Sequence, residues 1–523
     1  MGGMPFFADV ASYWSSVTFV DRAFIFGFVP AALIAFYLAT KSRWQLLPGA
    51  VLISASLIFY ISWSVKFFLI LLLSMGFNFF GRAWMASRDE KEARLRRGIL
   101  AVIVIGNLSA LFFFKYFDFF LESYAHLTGF RYESLAIGLP LGISFYTFQE
   151  ITLAVDAYAG ASKIGLLRYV LFIVFFPHLI AGPIVQHREM VPQFTHFRVE
   201  LTNLTIGASL FTIGLTKKVC IADTLAPIVK SVFDGTAQGQ LQLGWAWLGV
   251  LAYAFQIYFD FSGYSDMALG LGRLFGIKLP INFFSPYKAL DITDFWRRWH
   301  MTLSRFLREY LYIPLGGNRR GLMRREVNLM TVMLVGGLWH GANWTFVLWG
   351  GLHGLFLVVN RVWRERSPWH MPGMFAGPLT FLCVVAAWVP FRAADIATTF
   401  AIWKAMIGSN GIEGLSLAGV FAELVSFLAT LGESFKPDGH LALIAMTLWM
   451  CTLYGLCTAL PNSAQIMKLR HPWPASREFH YRDGNSRIYW HPGSVWGSVL
   501  GLMFGLSMLV SRQLPQEFLY WKF

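Results

Sequence analysis

Apolar positions in this chain come in long runs, without the alternation of a half-buried sheet or the narrow stripe of a surface helix. A hydrocarbon core of ~30 Å takes about 20 helical residues to cross. Runs of roughly that length lie near 19–39, 46–63, 67–84, 98–120, 134–156, 204–221, 242–261, 327–358, 376–391, 442–460 and 494–511. The pattern predicts an all-α integral membrane protein, a polytopic bundle of about 11 spans, with 1–523 as one membrane domain. Two stretches are irregular. The run 134–156 carries Gly138, Pro140, Gly142, Glu150 and Asp156, so it is expected to be broken or to line a polar cavity. Tyr169–Val185 is apolar, but Pro177, His178, Gly182 and Pro183 argue against a straight span. No internal repeat at a fixed period is visible, which weakens an inverted-repeat transporter.

Composition agrees. Only 14% of the 523 residues are charged, with mean hydropathy +0.53, against about 25% charged in soluble domains. A large soluble enzyme is excluded. The net charge of +14 would point to nucleic acid in a soluble chain; here it reads as basic cytoplasmic loops orienting the spans, with no nucleic-acid partner. Arg88–Arg97 is the strongest cytoplasmic marker, and three spans earlier the N-terminus falls outside. The opening "MGGMPFFADVASYWSS" lacks a basic signal-peptide region, so the first span is expected to be retained. A short outer loop is expected around His126. Segment 411–440 sets Glu413, Glu423, Glu433 and Asp438 against Lys436 and is placed outside, before C-terminal spans over 442–511. Cys220, Cys383, Cys451 and Cys457 have no metal-like spacing, and neither a disulfide framework nor a metal site is expected.

Positive charge concentrates in "DFWRRWHMTLSRFLREYLYIPLGG", Asp294 to Gly317. Lys288 to Arg325 holds nine Lys/Arg against three Asp/Glu. As one helix, Trp296, His300, Leu303, Leu307 and Leu311 share an apolar stripe, while Asp294, Arg298, Arg305 and Arg308 share another. Such a helix suits a membrane-surface anchor; it also suits a mouth attracting an anionic, phosphate-bearing ligand. Lys217 and Lys218 read as positive-inside anchors. Asp260 and Asp266, in or beside an apolar span, are expected to pair with an arginine or cap a broken helix.

"NLMTVMLVGGLWHGANWTFVLWGGLHG" follows Arg324 and Arg325 directly. A helix here places His340 about 22 Å past Arg325, deep in the core. Charge is costly there, so a neutral imidazole able to accept a proton is expected. Gly336, Gly337, Gly341 and Ala342 would let a backbone or a thin substrate approach. The competing reading is a small-residue helix contact with His340 hydrogen-bonded across it; His353 is read as helix packing.

"DFWRRWH", "REYLYIPLGGNR" and "GGLWHGANW" closely resemble the membrane-bound O-acyltransferases (MBOAT), in their bacterial alginate O-acetyltransferase branch. "FFPHLIAGPIV", "GLTKKVCIAD" and "YFDFSGYSDMALG" add to the resemblance, which covers about residues 45–395. It implies that His340 is catalytic, that His300 is the second active-site residue, and that broken helices form a funnel around the two. It also implies a bacterial inner membrane and exopolysaccharide acetylation, of alginate, cellulose or another glycan, with polysaccharide synthesis and export machinery. A periplasmic SGNH-type esterase-fold partner is implied as well. A thioester donor, acetyl-CoA or acyl-carrier phosphopantetheine, needs a general base for the acceptor hydroxyl and a dry site, and no resident cofactor is expected. His340 suits the base; His300 suits orienting the acceptor or stabilising an oxyanion. No Ser-His-Asp order is apparent, which makes direct transfer simpler than an acyl-enzyme. Lys288, Arg297, Arg298, Arg305 and Arg308 form the candidate donor-phosphate cluster. The alternatives are D-alanyl transfer to teichoic acid from a carrier protein, a transporter lined by the two histidines, and a scaffold for polymer synthesis.

Overall fold

The computed structural model describes residues 18–160, 164–195, 197–234, 241–369, 371–411, 440–469, 488–511 and 519. Most of the acid-rich segment 411–440 therefore lies outside the described residues. Every regular element among the described residues is helical. In chain order, the first half holds α1 (Ala23–Thr40), α2 (Leu47–Ile61), α3 (Val65–Ala86), α4 (Glu90–Thr128), α5 (Ile143–Tyr158), α6 (Leu166–Val174), α7 (Leu201–Phe233) and α8 (Leu243–Leu274). The second half holds α9 (Ile292–Arg298), α10 (Met301–Leu307), α11 (Leu322–His340), α12 (Trp344–Arg366), α13 (Gly373–Arg392), α14 (Ile396–Met406), α15 (His440–Ala459) and α16 (Ser494–Val510). Six of them, α1, α3, α4, α7, α12 and α13, are long and apolar enough to cross a membrane, and α2 and α16 are shorter apolar helices.

The centre is α8, buried along nearly its whole length. Glycines let α7 lie against it: a Cβ at Gly263 would stand 2.7 Å from the Gly214 carbonyl oxygen, and one at Gly270 2.6 Å from that of Gly207. This is the small-residue contact that replaces hydrophobic drive inside a bilayer. Between the two helices, Lys218 Nζ stands 2.6 Å from both Asp223 Oδ1 and Asp260 Oδ1, and Lys217 Nζ stands 2.6 Å from Asp266 Oδ2. The expected anchoring role is corrected here. Both lysines sit in a π-helical turn, Lys217–Ala222, that turns them onto α8. They supply the partners that Asp260 and Asp266 were expected to find in an arginine.

The irregular stretches behave as their glycines and prolines predict. No helix forms over 129–142; Gly142, at φ 71°, starts α5. After α6 only the single turn Phe176–Leu179 is helical before Val185. The basic stretch differs from expectation, because no continuous helix spans 294–311. His300 takes φ 43° and ψ 52°, splitting it into α9 and α10. The apolar run 327–358 is likewise two helices, broken at 341–343.

Contacts define two ends of the bundle. At one, Arg96 donates to the Tyr158 carbonyl at 3.1 Å, Tyr310 donates to Asp156 at 3.1 Å, and Arg325 pairs with Glu365 at 3.0 Å. The basic segments 88–97 and 308–325 thus share an end. At the other, Lys115 meets the C-terminus of α11, Trp344 donates to Ser123 at 3.1 Å, and Arg392 pairs with Asp234 at 3.1 Å.

Candidate active site

His300 and His340 are brought together, with ring centroids 6.4 Å apart, although 40 residues separate them in sequence. Both are buried, His300 completely and His340 to 4% exposure. The left-handed backbone at His300 sends α9 and α10 in different directions and aims the imidazole inward. A non-glycine residue there is uncommon and costs of order 1–3 kcal/mol, a cost that functional sites commonly carry. Asn282 holds the kink. Its carbonyl oxygen accepts from the Met301 N–H at 2.9 Å, and its Oδ1 accepts from the Thr302 N–H at 3.3 Å and hydroxyl at 2.9 Å. The same Oδ1 lies 3.0 Å from His300 Nδ1. An oxygen already accepting from a backbone N–H takes a proton from the ring as well, so Nδ1 carries the hydrogen and Nε2 is the acceptor.

His340 is the last residue of α11. Its ring packs edge-on to Trp349 at 5.0 Å and against Phe391 at 5.1 Å and Trp339 at 4.9 Å. Gly337 and Gly341 let α12 approach closely. A Cβ at Gly337 would collide with the Phe346 carbonyl oxygen, and one at Gly341 with the Phe346 ring. The small-residue contact of α11 with α12 is therefore present alongside the histidine pair. His353 has the packing environment expected of it: Trp296 Nε1 donates to its Nδ1 at 3.3 Å, and Phe295 stacks on the ring at 6.0 Å.

A cavity of about 720 Å³ lies toward the end opposite the basic segments, lined among others by Lys115, Asp223, Gln256, Gly341, Phe391 and Arg392. Its wall reaches Gly341, next in sequence to His340, and Phe391, which packs on the His340 ring. Lys115, Asp223, Gln256 and Arg392 give that lining polar groups beside the apolar Phe346 and Phe391. The wall is thus both apolar and hydrogen-bonding, as a hydroxyl-bearing ligand needs.

The five candidate phosphate-binding cations differ in surroundings. Arg305 pairs through both terminal nitrogens with the buried Glu189, Arg298 pairs with Asp294 at 2.9 Å, and Lys288 donates to the Leu460 carbonyl at 2.7 Å. Arg297 and Arg308 are exposed. Asn282 and Lys115 escape sequence reasoning: "PINFFSP" and "FFFKYFD" carry no chemical pattern, and their importance lies in contacts 18 and 225 residues away. No group of three or more His, Cys, Asp or Glu suited to a metal occurs among the described residues.

A model of the membrane-bound O-acyltransferase family matches residues 108–389. The chain is 41% identical over 479 residues to the peptidoglycan O-acetyltransferase of Helicobacter pylori, covering 85% of this chain and 89% of that protein. It is 40% identical over 397 residues to the probable alginate O-acetylase AlgI of Pseudomonas aeruginosa, covering 75% of each. The teichoic acid D-alanyltransferase of Bacillus subtilis is 28% identical over 248 residues, 44% of this chain and 61% of that protein.

Proposed function

The chain belongs to the membrane-bound O-acyltransferase family and is an acyltransferase, and from that premise we propose that it moves acetyl groups from a cytoplasmic thioester to an acceptor beyond the membrane. The observation that carries this reading is the buried pair His300–His340 set between a basic end and a cavity at the opposite end. With centroids 6.4 Å apart, the two rings are close enough for one substrate oxygen to lie within hydrogen-bonding reach of a nitrogen of each. His340 takes the acceptor's hydroxyl proton, the oxygen attacks the thioester carbonyl carbon, and the tetrahedral adduct collapses. The carbon–sulfur bond breaks and the leaving sulfur takes the proton back from His340, giving free thiol beside the new ester and restoring the neutral base. His300, with its acceptor nitrogen directed inward, orients the hydroxyl; in that tautomer it does not donate to an oxyanion. The dry aromatic wall of Trp339, Trp349 and Phe391 excludes competing water.

Acetyl-CoA and a phosphopantetheine carrier both bring phosphate to the basic end. The longer and more similar matches to the two O-acetylating relatives favour acetyl over D-alanyl transfer. The acceptor in this reading is an envelope polysaccharide such as alginate, peptidoglycan or cellulose, reached through a periplasmic SGNH-type partner and the polymer's synthesis machinery. The reading places the protein in a bacterial inner membrane with about 11 spans and the N-terminus outside. Purified protein supplied with acetyl-CoA or a loaded carrier, and with the acceptor partner, should release thiol and form ester in equal amounts. Movement of the donor with its thioester intact would favour a transporter.

The exposed Arg297 and Arg308 are the best placed of the cluster to meet donor phosphate. Their joint replacement by Gln should raise the donor KM and leave kcat near wild type, since binding common to ground and transition states is lost. Arg305→Gln should instead destabilise the protein, because it strands the buried Glu189. A collapsed kcat with unchanged KM in the Arg297/Arg308 variant would place these residues in the chemical step.

A further inference from the structure

The last carbonyls of a helix have no partners within it. In α11 that end carries His340, and its carbonyls are met from outside by two adjacent residues of α4. Tyr116 Oη donates to the Leu338 oxygen at 3.0 Å; Lys115 Nζ donates to the Trp339 oxygen at 2.6 Å and the His340 oxygen at 3.2 Å. Both come from a π-helical turn, Phe112–Tyr116. Such a turn inserts a residue and redirects side chains, and it is frequent at functional sites. Lys115 also lines the cavity. It therefore touches both the cavity, where a hydroxyl-bearing acceptor would enter in this reading, and the backbone that carries the proposed base.

We propose that Lys115 is a positioning residue that fixes the His340 imidazole against the inner end of the cavity. The proposal rests on the reading of His340 as the base. A lysine suits the place for three reasons. Its compact head has three donors, enough for two carbonyls at once. Its N–H groups face the negative end of the helix dipole. Its long stem crosses from α4 without filling the cavity. The helix does not continue past the turn it ties, because Gly341 leaves in an extended conformation, φ −164° and ψ 151°. Without Nζ, two of the bonds holding the last turn are lost, and the imidazole can drift while the donor's route from the other end is untouched.

Lys115→Met should therefore lower kcat by about 10- to 100-fold, the cost of misplacing a catalytic group by about 1 Å, with the donor KM unchanged. Lys115→Arg, which keeps N–H donors at the end of a long stem, should recover most of that loss. Protein labelled with ¹⁵N-histidine supplies a readout independent of turnover. The His340 ring resonances, identified by their disappearance in His340→Gln, should move in Lys115→Met and return in Lys115→Arg. Those of the remote, buried His178 should stay in place. Wild-type protein without transferase activity would refute the acyl-transfer reading, and the resonances would still decide the positioning role. Unmoved His340 resonances, or equal loss of kcat in the Met and Arg variants, would overturn the proposal. If Lys115→Met does not fold in detergent, Lys115→Gln, uncharged and too short to bridge both carbonyls, is held to the same criteria.

Discussion

Alanine at position 340 is expected to lower acyl transfer by about 10²- to 10⁴-fold, the usual contribution of a general base, while folded protein still accumulates. The ring is buried among Trp339, Trp349 and Phe391, so its removal also leaves a void. His340→Gln fills most of that void without restoring a base and separates the two effects. Thiol release by both purified variants, alongside thermal unfolding in detergent, checks the expectation. His300→Ala should be impaired too, but less severely if that ring only orients the hydroxyl. Full activity in a folded His340→Ala protein would remove this histidine from the chemistry. Failure of both 340 variants to fold would make it a packing residue.

The second large effect falls on stability. Lys218 is 3% exposed and stands 2.6 Å from the carboxylates of Asp223 and Asp260. The Leu519 N–H adds a donor to Asp260 Oδ2 at 3.3 Å. Methionine at 218 preserves the stem's volume but leaves two buried carboxylates facing each other. Breaking a buried pair in this way typically costs about 3–5 kcal/mol, a large part of the stability of an ordinary fold. Lys218→Met should therefore yield little monodisperse protein on size-exclusion chromatography. The triple replacement Lys218→Met, Asp223→Asn, Asp260→Asn should recover a substantial part, since no charge is then stranded. Normal folding of Lys218→Met would return the residue to the surface-anchoring role first read from sequence.

The contrast between these two residues shows what sequence can convey. His340 was legible because its depth follows from counting residues past Arg325, and because titratable groups in an apolar run are rare enough to stand out. The helical class followed from run length alone, and the break before α5 from Gly138, Pro140 and Gly142. His300 was legible as a chemical candidate but not as a place in the fold. A smooth helical stripe from Trp296 to Leu311 hid the left-handed turn that buries the ring. That turn depends on Asn282, whose bonds form only once the chain has folded back on itself. Lys217 and Lys218 were misread for a related reason: adjacent cations usually face water, and only the π turn and the distant Asp260 and Asp266 bring them inside. Gly337 and Gly341 signalled close approach correctly, but what approaches is α12.

Sidedness tests the central claim most directly. Wild-type protein is reconstituted in one orientation in sealed vesicles, with the thioester donor confined to the side of the Arg88–Arg97 segment and the acceptor partner to the other. Free thiol should then appear on the donor side and acetyl ester on the acceptor side, in equal amounts, with both lost in His340→Gln. Intact donor on the far side, or thiol and ester both formed on the donor side, would contradict transfer across the membrane through the histidine pair.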